Sequence, residues 1–563
     1  MIEKWRFLEP DEASAQLLSA ELNLSLELSR LLINRGITTV NAARSFLYDG
    51  LESLSSPWLL SGVHEAVERV ADAVKRREKI VIYGDYDVDG ICSIVLMVEC
   101  FARLGARADY YVPNRFGEGY GLNAEAVRKL AAAGYSLMIT VDCGINSVKE
   151  LELAQQLGLD VVVSDHHQVM VNEWPAAAVI APRRDGIPEV QELSGTGVAF
   201  KLAQALLEHH GRDLPWDQFL ELLALATVAD VVPLHYENRI MAREGLKRLK
   251  DTRRPGLQAL LRECGLQDKR LRSTDIAFQL APHLNSAGRM QQAGLSVRLL
   301  LERDDTITTD LARQLCKLNE ERREVQADIF KQAKELWEQQ AGDDWAVIVL
   351  GSEEWHEGVS GIVASQLCQY YNKPAVVIVW DGHIGKGSAR SVSGINLLNA
   401  LEQCGQWLSG YGGHAMAAGL TLRREQFEDF RRALHEQVSL CGAREQQSLR
   451  EIDFELAEER LMPELAQEIE LLEPFGMGNP EPLVLARGVR LIQGRWLGKE
   501  QQHLKAVTAV NGVEVIAFRY RDQATQWEDG AYYDILAHLE ARSWRQHTSL
   551  QLRAAELIAA PQP

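Results

Sequence analysis

Short apolar runs alternate with longer amphipathic stretches between about residues 60 and 235. Runs at residues 79–83, 136–141 and 159–164 have the length of buried strands. The stretches beside them predict helices at residues 91–104, 123–133 and 147–157, with Asn123 as the N-cap of the second. Strands that alternate with helices in this way predict a doubly wound parallel sheet, so the fold class is α/β.

The pattern changes on either side of this core. Residues up to about 60 predict an N-terminal helical region that includes the apolar stretch 17–32, and a second helical set runs from about 240 to 300. Residues 306–340 predict one long charged helix, whose length suits a connector between domains. Its apolar positions near one face are Leu311, Leu315, Leu318, Val325, Ile329 and Leu336.

Two further units follow the long helix. A second α/β unit begins with the apolar runs 345–350 and 374–380 and ends near residue 440. Between about 450 and 560 the sequence predicts about five strands, with an Asn511-Gly512 hairpin turn between two of them. Five strands are the number in an OB-type β-barrel. The segment 473–482, rich in proline and glycine, is expected to set the boundary of this barrel.

Composition supports a multidomain protein of a reducing compartment. The chain has 563 residues, 46% of them hydrophobic, which exceeds what one compact core holds. Its net charge is −19, so any polyanion must be bound by local basic patches. The eight cysteines form no close C-x-x-C pair, and we find neither a signal core at the start nor an apolar run of about 18 residues. We therefore expect a cytoplasmic protein without membrane association.

Acidic and imidazole side chains follow the predicted strands. Asp85, Asp87 and Asp89 come after the first strand, Asp142 after the second, and Asp165, His166 and His167 after the third. The loops at the carboxyl ends of parallel strands form the ligand crevice of an open α/β sheet, so these side chains should converge. Asp230, which ends the apolar stretch 222–228, is expected to join them.

The predicted cluster has the chemistry of a divalent metal site. Three carboxylates in one turn more often face water, but the added residues Asp142, His166 and Asp230 weaken that interpretation. Clustered carboxylates need cations to offset their repulsion, and oxygen-rich ligation favours Mn²⁺ or Mg²⁺ over zinc. Two such ions, about 3.5 to 4 Å apart, activate a water and stabilise the leaving oxygen in phosphodiester hydrolysis.

Eight segments in order resemble the DHH phosphoesterase superfamily, most closely its exonucleases specific for single-stranded DNA. They are GDYDVDG at 84–90, VDCG at 141–144, SDHH at 164–167, AD at 229–230, LNSAGR at 284–289, WHEGVSGIV at 355–363, GSARS at 387–391 and GGHAMAAG at 412–419. The resemblance implies a DHH catalytic core, a connector helix, a DHHA1 domain and an OB-fold. The corresponding boundaries are 1–60 for the N-terminal helices, then 61–303, 304–341, 342–445 and 446–563.

The resemblance also implies roles for individual residues. The implied metal ligands are Asp85, Asp87, Asp89, Asp142, His166 and Asp230, with Asp142 bridging two ions; Asp87, Asp142, His166 and His167 are the implied catalytic residues. His167 either approaches the scissile phosphate or orients its neighbour, and Asp165 is expected to hold an imidazole tautomer. Members that act on small substrates carry a histidine where this chain has Tyr83.

A second set of residues is implied to bind the DNA strand. Its members are Arg115, Arg289, Ser388, Arg390 and His414. Arginine suits bidentate contact with phosphate, although a single arginine is more often in a surface ion pair, and the glycines at 412–413 also fit a plain tight turn. In the barrel segment, aromatic and cationic residues that can stack on bases or fill the barrel are Arg495, Trp496, Lys499, Lys505, Phe518, Arg519, Tyr520, Arg521, Trp544 and Arg545.

Three functions follow as hypotheses. The leading one is a metal-dependent 5′-to-3′ exonuclease that hydrolyses single-stranded DNA to mononucleotides in recombination and repair. The second is a DHH-type phosphodiesterase for short oligonucleotides or small phosphoesters, which needs neither the barrel nor this length. The third is a DNA-binding scaffold without activity. The resemblance further implies a single-strand DNA-binding protein and a RecQ-type helicase as partners.

Overall fold

The computed structural model describes residues 5–114, 121–290, 292–340, 345–440, 450–498, 500–523, 527–544 and 547–562. Contacts divide the chain into two compact units. One comprises residues 1–55, 231–244 and 449–563, and the other comprises residues 56–230 and 245–448. No described helix combines the length and the apolar character that a membrane span requires.

The larger unit contains a parallel sheet among its described residues. Its strands, in spatial order, are Ala108–Tyr111, Ile80–Gly84, Leu137–Val141, Asp160–Ser164 and Ala178–Ile180. The chain order reverses between Ile80–Gly84 and Leu137–Val141, which creates a topological switch point. The predicted doubly wound sheet is therefore confirmed, and the residues that follow these two strands flank the crevice at the switch point.

Helices cover this sheet and extend the unit. The predicted three are present as Val88–Arg103, Ala124–Ala132 and Val148–Gln156, and the Asn123 side chain caps the second by accepting from the Ala126 amide at 2.8 Å. The other helices of the core are Val63–Arg76, Pro182–Asp185, Gly195–His209, Trp216–Ala229, Pro255–Glu263, Ser273–Asp275, Ala281–Arg289 and Gly294–Leu301. The helix Tyr236–Lys250 belongs to the smaller unit up to residue 244 and to the larger unit from residue 245. A π-helical turn, Ile276–Leu280, joins Ser273–Asp275 to Ala281–Arg289.

The long connector helix spans Asp305–Gln340, as the sequence predicts. It begins where Asp304 Oδ1 accepts hydrogen bonds from the amides of Thr306 and Ile307 at 2.8 and 3.0 Å. Buried Leu311 and Leu315 lie near its start, and buried Ile329 packs in a core with strands of the second sheet near its end. The apolar face of the helix is thus covered along its length.

The second sheet of this unit is mixed. Its strands, in order, are Gly410–His414, Ala417–Arg423, Ile384–Arg390, Ala375–Asp381 and Ile348–Ser352, and only the last two pair in parallel among the described strands. Helices Glu357–Tyr371, Leu397–Gln403 and Phe427–Leu440 accompany it. This sheet is the predicted second α/β unit.

The smaller unit contains a closed β-barrel. Its five strands are Leu483–Leu497, His503–Thr508, Glu514–Ala517, His547–Ala560 and Tyr532–Trp544, and the last pairs back with the first. The strand Phe454–Leu456 pairs in parallel with the beginning of the first barrel strand, and Trp5–Phe7 pairs with Arg450–Ile452. The remaining helices of the unit are Glu12–Leu22, Leu26–Asn34, Val40–Tyr48 and Pro463–Glu470. The predicted OB-type barrel is confirmed.

The N-terminal helices share one hydrophobic core with this barrel. Leu28 and Leu31 from the helices belong to the same buried cluster as Leu491 and Leu552 from the barrel strands. The segment 473–482 lies within the unit, where buried Asn479 donates hydrogen bonds to the carbonyls of Leu472 and Pro474 at 2.7 and 2.9 Å. It is therefore a packed part of the unit, and the first barrel strand, Leu483–Leu497, begins directly after it.

Candidate metal centre

The first acidic residues lie where the strand Ile80–Gly84 passes into the helix Val88–Arg103. Asp87 is the N-cap of that helix, and its carboxylate accepts a hydrogen bond from the Gly90 amide at 3.1 Å. A Cβ atom at Gly90 would lie 2.5 Å from the backbone oxygen of Asp85, so this tight turn requires glycine. Asp85 is buried and Asp87 is half-buried at the switch point of the sheet.

Asp142 and His166 follow the next two strands of the sheet. Both are buried. Asp142 has φ of +59°, a left-handed conformation that non-glycine residues adopt rarely and that concentrates at functional sites. The helix Gly195–His209 begins so close to this residue that a Cβ atom at Gly195 would lie 2.5 Å from Asp142 Oδ1. The backbone conformation at residue 142 and the close approach of Gly195 therefore fix the position of the Asp142 carboxylate.

The acids and the imidazole converge on one point. His166 Nε2 lies 3.2 Å from Asp142 Oδ1, 3.6 Å from Asp230 Oδ2 and 3.9 Å from Asp89 Oδ2. Three groups have potential ligand atoms within 4.8 Å of one another: Asp85 with Asp87 and Asp142, Asp89 with His166 and Asp230, and Asp142 with His166 and His167. All six residues predicted as metal ligands, and also His167, therefore belong to this cluster.

The electrostatics of the cluster fit cations. Burial, together with the charges of Asp89 and Asp87, raises the pKa of Asp142 well above its usual range and that of Asp230 to about 9. Burial likewise raises the pKa of Asp87 and lowers that of His166, which keeps this imidazole neutral. Asp142 Oδ1 and both ring nitrogens of His166 are buried, yet none makes a hydrogen bond among the described residues. Ligand atoms that face one another without such bonds suit divalent ions.

Within the cluster, His167 forms a pair with the neighbouring Asp165. Asp165 accepts from His167 Nδ1 at 2.7 Å and from the Ile145 amide at 3.0 Å. Burial opposes charge on both residues, but their hydrogen bond and mutual attraction lower the pKa of Asp165 and raise that of His167 to about 9. At neutral pH His167 is therefore an imidazolium with a fixed Nδ1 proton.

Asp89 has a second task that the sequence does not reveal. Its carboxylate accepts from the amides of Gly195 and Thr196 at 2.6 and 2.7 Å and from the Thr196 hydroxyl at 2.6 Å. Asn285 likewise supports the site, because its Oδ1 accepts from the Val88 amide at 3.0 Å. The only sequence signals were the SGTG segment at 194–197 and the asparagine within LNSAGR, and neither predicts a partner.

Three of the residues predicted to bind DNA lie on one face of the second sheet. His414 pairs with Ala417, which pairs with Arg390, and Ser388 lies two residues from Arg390. His414 is exposed, whereas Ser388 and Arg390 are half-buried beneath the helix Glu357–Tyr371, where Ser388 Oγ lies 2.9 Å from Ser360 Oγ. Gly412 pairs with Gly419, which pairs with Ser388, and a Cβ atom at either glycine would meet open space among the described residues.

The other two predicted DNA-binding residues lie elsewhere. Arg289, at the end of the helix Ala281–Arg289, donates to the carbonyl of Gly358 at 3.1 Å and so links the core to the first turn of Glu357–Tyr371. Arg115 lies outside the described residues. Tyr83 donates its hydroxyl proton to the Gly121 carbonyl at 2.9 Å, so this residue supports the chain just after that segment.

The barrel residues divide between core and surface. Tyr520 is buried, and half-buried Trp496 stacks on it with ring centroids 6.3 Å apart. Phe518, Arg519 and Arg521 are exposed, and the Arg521 guanidinium lies 5.4 Å from the Trp496 ring centroid. Exposed Arg495 pairs across the strands with Lys505, which forms an ion pair with Glu514. Lys499, Arg545 and the side chain of Trp544 lie outside the described residues.

Comparisons with known families agree with this architecture. The model described as "DHH family, N-terminal domain" matches residues 79–227, the DHHA1 domain matches residues 343–440, and the RecJ OB domain matches residues 452–556. The single-stranded-DNA-specific exonuclease RecJ of Bacillus subtilis is 37% identical over 555 residues, which cover 98% of this chain and 70% of that protein.

Two solved structures of RecJ from Thermus thermophilus extend the comparison. The Mn²⁺ complex superposes with a TM-score of 0.84 at 30% identity and covers 100% of this chain and 80% of that one. The Mg²⁺ complex gives a TM-score of 0.78 at 29% identity and covers 100% of this chain and 79% of that one. On this sequence identity and coverage, the chain belongs to the RecJ family of exonucleases.

Proposed function

We propose that this protein is a two-metal-dependent exonuclease that hydrolyses single-stranded DNA from the 5′ end to mononucleotides. The observation that carries the proposal is the buried cluster around His166 Nε2, in which three carboxylates approach one imidazole nitrogen within 3.9 Å. The relatives named as single-stranded-DNA-specific exonucleases, and the related structures solved with Mn²⁺ or Mg²⁺, support this substrate and these cofactors.

The cluster offers ligands for two ions. Asp85, Asp87 and Asp142 form one group, Asp89, His166 and Asp230 form the other, and Asp142 also lies beside His166, so it is the candidate bridge. When bound, two Mn²⁺ or Mg²⁺ ions would supply positive charge at the phosphate and lower the pKa of a water molecule. The carboxylates supply hard oxygen donors, which these ions prefer over softer ligands.

His167 is the candidate residue for contact with the phosphate. Asp165 holds the Nδ1 proton of His167 at 2.7 Å and keeps the ring charged at neutral pH. A charged imidazole beside the cluster can donate from Nε2 to a phosphate oxygen. This role gives His167 a purpose different from that of His166, which is neutral and has no hydrogen bond among the described residues.

The second sheet is the candidate site for the 5′ end. The row that contains exposed His414 and half-buried Arg390 offers an imidazole and a guanidinium next to Gly412 and Gly419. Glycine at these positions leaves the strand backbone accessible to a phosphate, and arginine can hold it with two hydrogen bonds. Ser388 on the same face adds a hydroxyl, and Arg115 and Arg289 stay candidates for contacts along the strand.

The barrel is the candidate holder of the rest of the strand. Exposed Phe518 can stack on a base while Arg495, Arg519 and Arg521 contact phosphates. This local cationic surface compensates for the net charge of −19, which by itself repels DNA. A barrel of this kind supports a long strand as the substrate rather than a small phosphoester.

The wider setting completes the proposal. We propose the boundaries 1–60 for the N-terminal helical region, 61–303 for the catalytic core, 304–341 for the connector, 342–445 for the DHHA1 domain and 446–563 for the OB-fold, which packs with the helices of residues 12–48. The described cysteines are all free thiols, which supports a reducing cytoplasm.

A role in recombination and repair, beside a single-strand DNA-binding protein and a RecQ-type helicase, would place the enzyme where single strands arise.

A strand labelled at one end tests this function. We expect the purified protein, with Mn²⁺ or Mg²⁺, to release labelled mononucleotide early from a 5′-labelled single strand and late from a 3′-labelled one. Asp142→Asn should abolish release from both strands, whereas Asp213→Asn, an exposed carboxylate, should not change it. Early release from the 3′ label would refute the polarity, and cleavage by Asp142→Asn at the wild-type rate would refute the assignment of the site.

A further inference from the structure

A second cluster of metal-binding side chains lies outside the candidate metal centre. Cys264, His283 and Cys316 have ligand atoms within 4.8 Å of one another. Cys264 caps the helix Pro255–Glu263, His283 lies on Ala281–Arg289, and Cys316 lies on the long connector helix Asp305–Gln340. All three are partly exposed, so both an ion and a water molecule can reach them.

The spacing of the ligand atoms fits a tetrahedral zinc ion. Zn–S and Zn–N bonds of about 2.3 and 2.0 to 2.1 Å at the tetrahedral angle place sulfur and nitrogen about 3.5 to 3.6 Å apart. The observed distance from Cys264 Sγ to His283 Nδ1 is 3.6 Å. Without an ion, Nδ1 donates its proton to the Gln279 carbonyl at 2.5 Å.

The donor atoms of the cluster also select the ion. Two thiols and one imidazole supply two sulfur donors and one nitrogen donor. Thiolate and imidazole ligands select zinc over Mn²⁺ and Mg²⁺, which prefer oxygen. The carboxylate-rich candidate metal centre and this cluster are therefore suited to different ions.

We propose that Cys264, His283 and Cys316 form a zinc site, with water as the fourth ligand, that fastens the connector helix to the catalytic core. Binding releases the protons of both thiols, which coordinate as thiolates, and moves the His283 proton from Nδ1 to Nε2. The neutral imidazole and two thiolates then balance the charge of Zn²⁺. Neither the nuclease function nor the ligands of the candidate metal centre enter this assignment.

The position of the site gives it a structural consequence. The helix Ala281–Arg289, which carries His283, also provides Asn285 to the Val88 amide beside Asp87 and Arg289 to the Gly358 carbonyl of the second α/β unit. An ion that holds His283 to the connector helix therefore steadies a helix that contacts both regions. Zinc should stabilise the folded protein by an amount that rises with the logarithm of the free zinc concentration above the Kd.

Cobalt and zinc binding to the full-length protein test the site. In the presence of excess Mg²⁺, which occupies oxygen-rich sites, we expect about one equivalent of Co²⁺ to give thiolate-to-cobalt charge-transfer absorption, and Zn²⁺ to displace it. The affinity for Zn²⁺, measured by competition with a chromophoric chelator, should fall in Cys316→Ser and His283→Gln. Loss of a ligand should exceed the about 10- to 100-fold loss typical of removing a supporting hydrogen bond.

Two control variants separate this site from other metal-binding groups. Cys404→Ser removes a buried thiol of the second α/β unit, and Asp142→Asn removes a carboxylate of the candidate metal centre. Both should retain the charge-transfer absorption and the zinc affinity. Absence of that absorption in the reduced wild-type protein would overturn the proposal without depending on the folding of any variant. Equal zinc affinity in Cys316→Ser and wild type, or loss of binding only in Asp142→Asn, would also overturn it.

Discussion

Replacement of Asp230 by asparagine should stabilise the metal-free protein, although it removes a proposed ligand. Burial and the charges of Asp89 and Asp87 raise the pKa of Asp230 to about 9. A carboxyl whose folded-state pKa is raised binds its proton more tightly in the folded state than in the unfolded state. Its contribution to stability is therefore most favourable below about pH 4 and is lost as the pH rises towards about 9.

The magnitude follows from the pH and the unfolded pKa. At pH 7 the pH lies about 3 units above the pKa of the unfolded carboxyl. At 1.36 kcal/mol per unit, the folded protein has lost about 4 kcal/mol of the stability that this carboxyl provides when it is protonated in both states. Part of the raised pKa of Asp230 comes from the negative charges of Asp87 and Asp89, which depend on their own protonation. We therefore expect Asp230→Asn to raise the free energy of unfolding by roughly 2 to 4 kcal/mol at pH 7. At pH 5 the gain should shrink to under about 2 kcal/mol.

Urea denaturation in the presence of a chelator measures this difference. Wild type, Asp230→Asn and the control Asp213→Asn, which alters an exposed carboxylate, are compared at pH 5 and pH 7. With saturating Mn²⁺ the order should reverse, since the wild type gains the free energy of ion binding and Asp230→Asn gains less. The reasoning is refuted if metal-free Asp230→Asn is no more stable than wild type at pH 7, or if its advantage grows towards pH 5.

The other predictions concern separate parts of the molecule. Arg390→Lys should reduce the preference for a 5′-phosphorylated over a 5′-hydroxyl strand in initial-rate measurements, whereas Lys386→Ala, on the same sheet face, should not; an unchanged preference in Arg390→Lys contradicts the end-binding role. Phe518→Ala should weaken binding of a long single strand by about 1 to 3 kcal/mol in titrations, whereas Ile558→Ala, another exposed apolar residue of the barrel, should not; equal affinities contradict base stacking. Asp89→Ala should lower the free energy of unfolding by roughly 2 to 4 kcal/mol in urea denaturation even without metal, because three donors at the start of the helix Gly195–His209 lose their acceptor. A metal-free stability equal to that of wild type would show that this helix does not need the Asp89 carboxylate.

The core of the fold was predictable because local sequence determines it. Buried runs of strand length and an N-cap such as Asn123 predict elements without knowledge of distant contacts. The acids at the strand ends were predictable as a group, since parallel strands bring their carboxyl ends to one edge. The hydrogen bonds of Asp89 to Gly195 and Thr196 were not predictable, because nothing in either segment specifies the other.

Long-range packing was not predictable from the sequence. The core shared by the N-terminal helices and the barrel depends on contacts between the two ends of the chain, which local patterns do not encode. A truncation before residue 473 would expose that core, so substitutions at Phe518 test the barrel more cleanly. Tyr520 has the same residue type as a base-stacking aromatic, and only its burial against Trp496 identifies it as core.

Electron paramagnetic resonance of bound Mn²⁺ tests the central claim most directly. The full-length protein, stripped of metal and titrated with Mn²⁺, should bind two ions per chain with the magnetic coupling of a closely spaced pair, as the groups on either side of Asp142 require. Asp142→Asn should lose this coupling, and Asp213→Asn should retain it. Two uncoupled ions in the wild type, or an unchanged coupled pair in Asp142→Asn, would contradict the proposed two-metal centre.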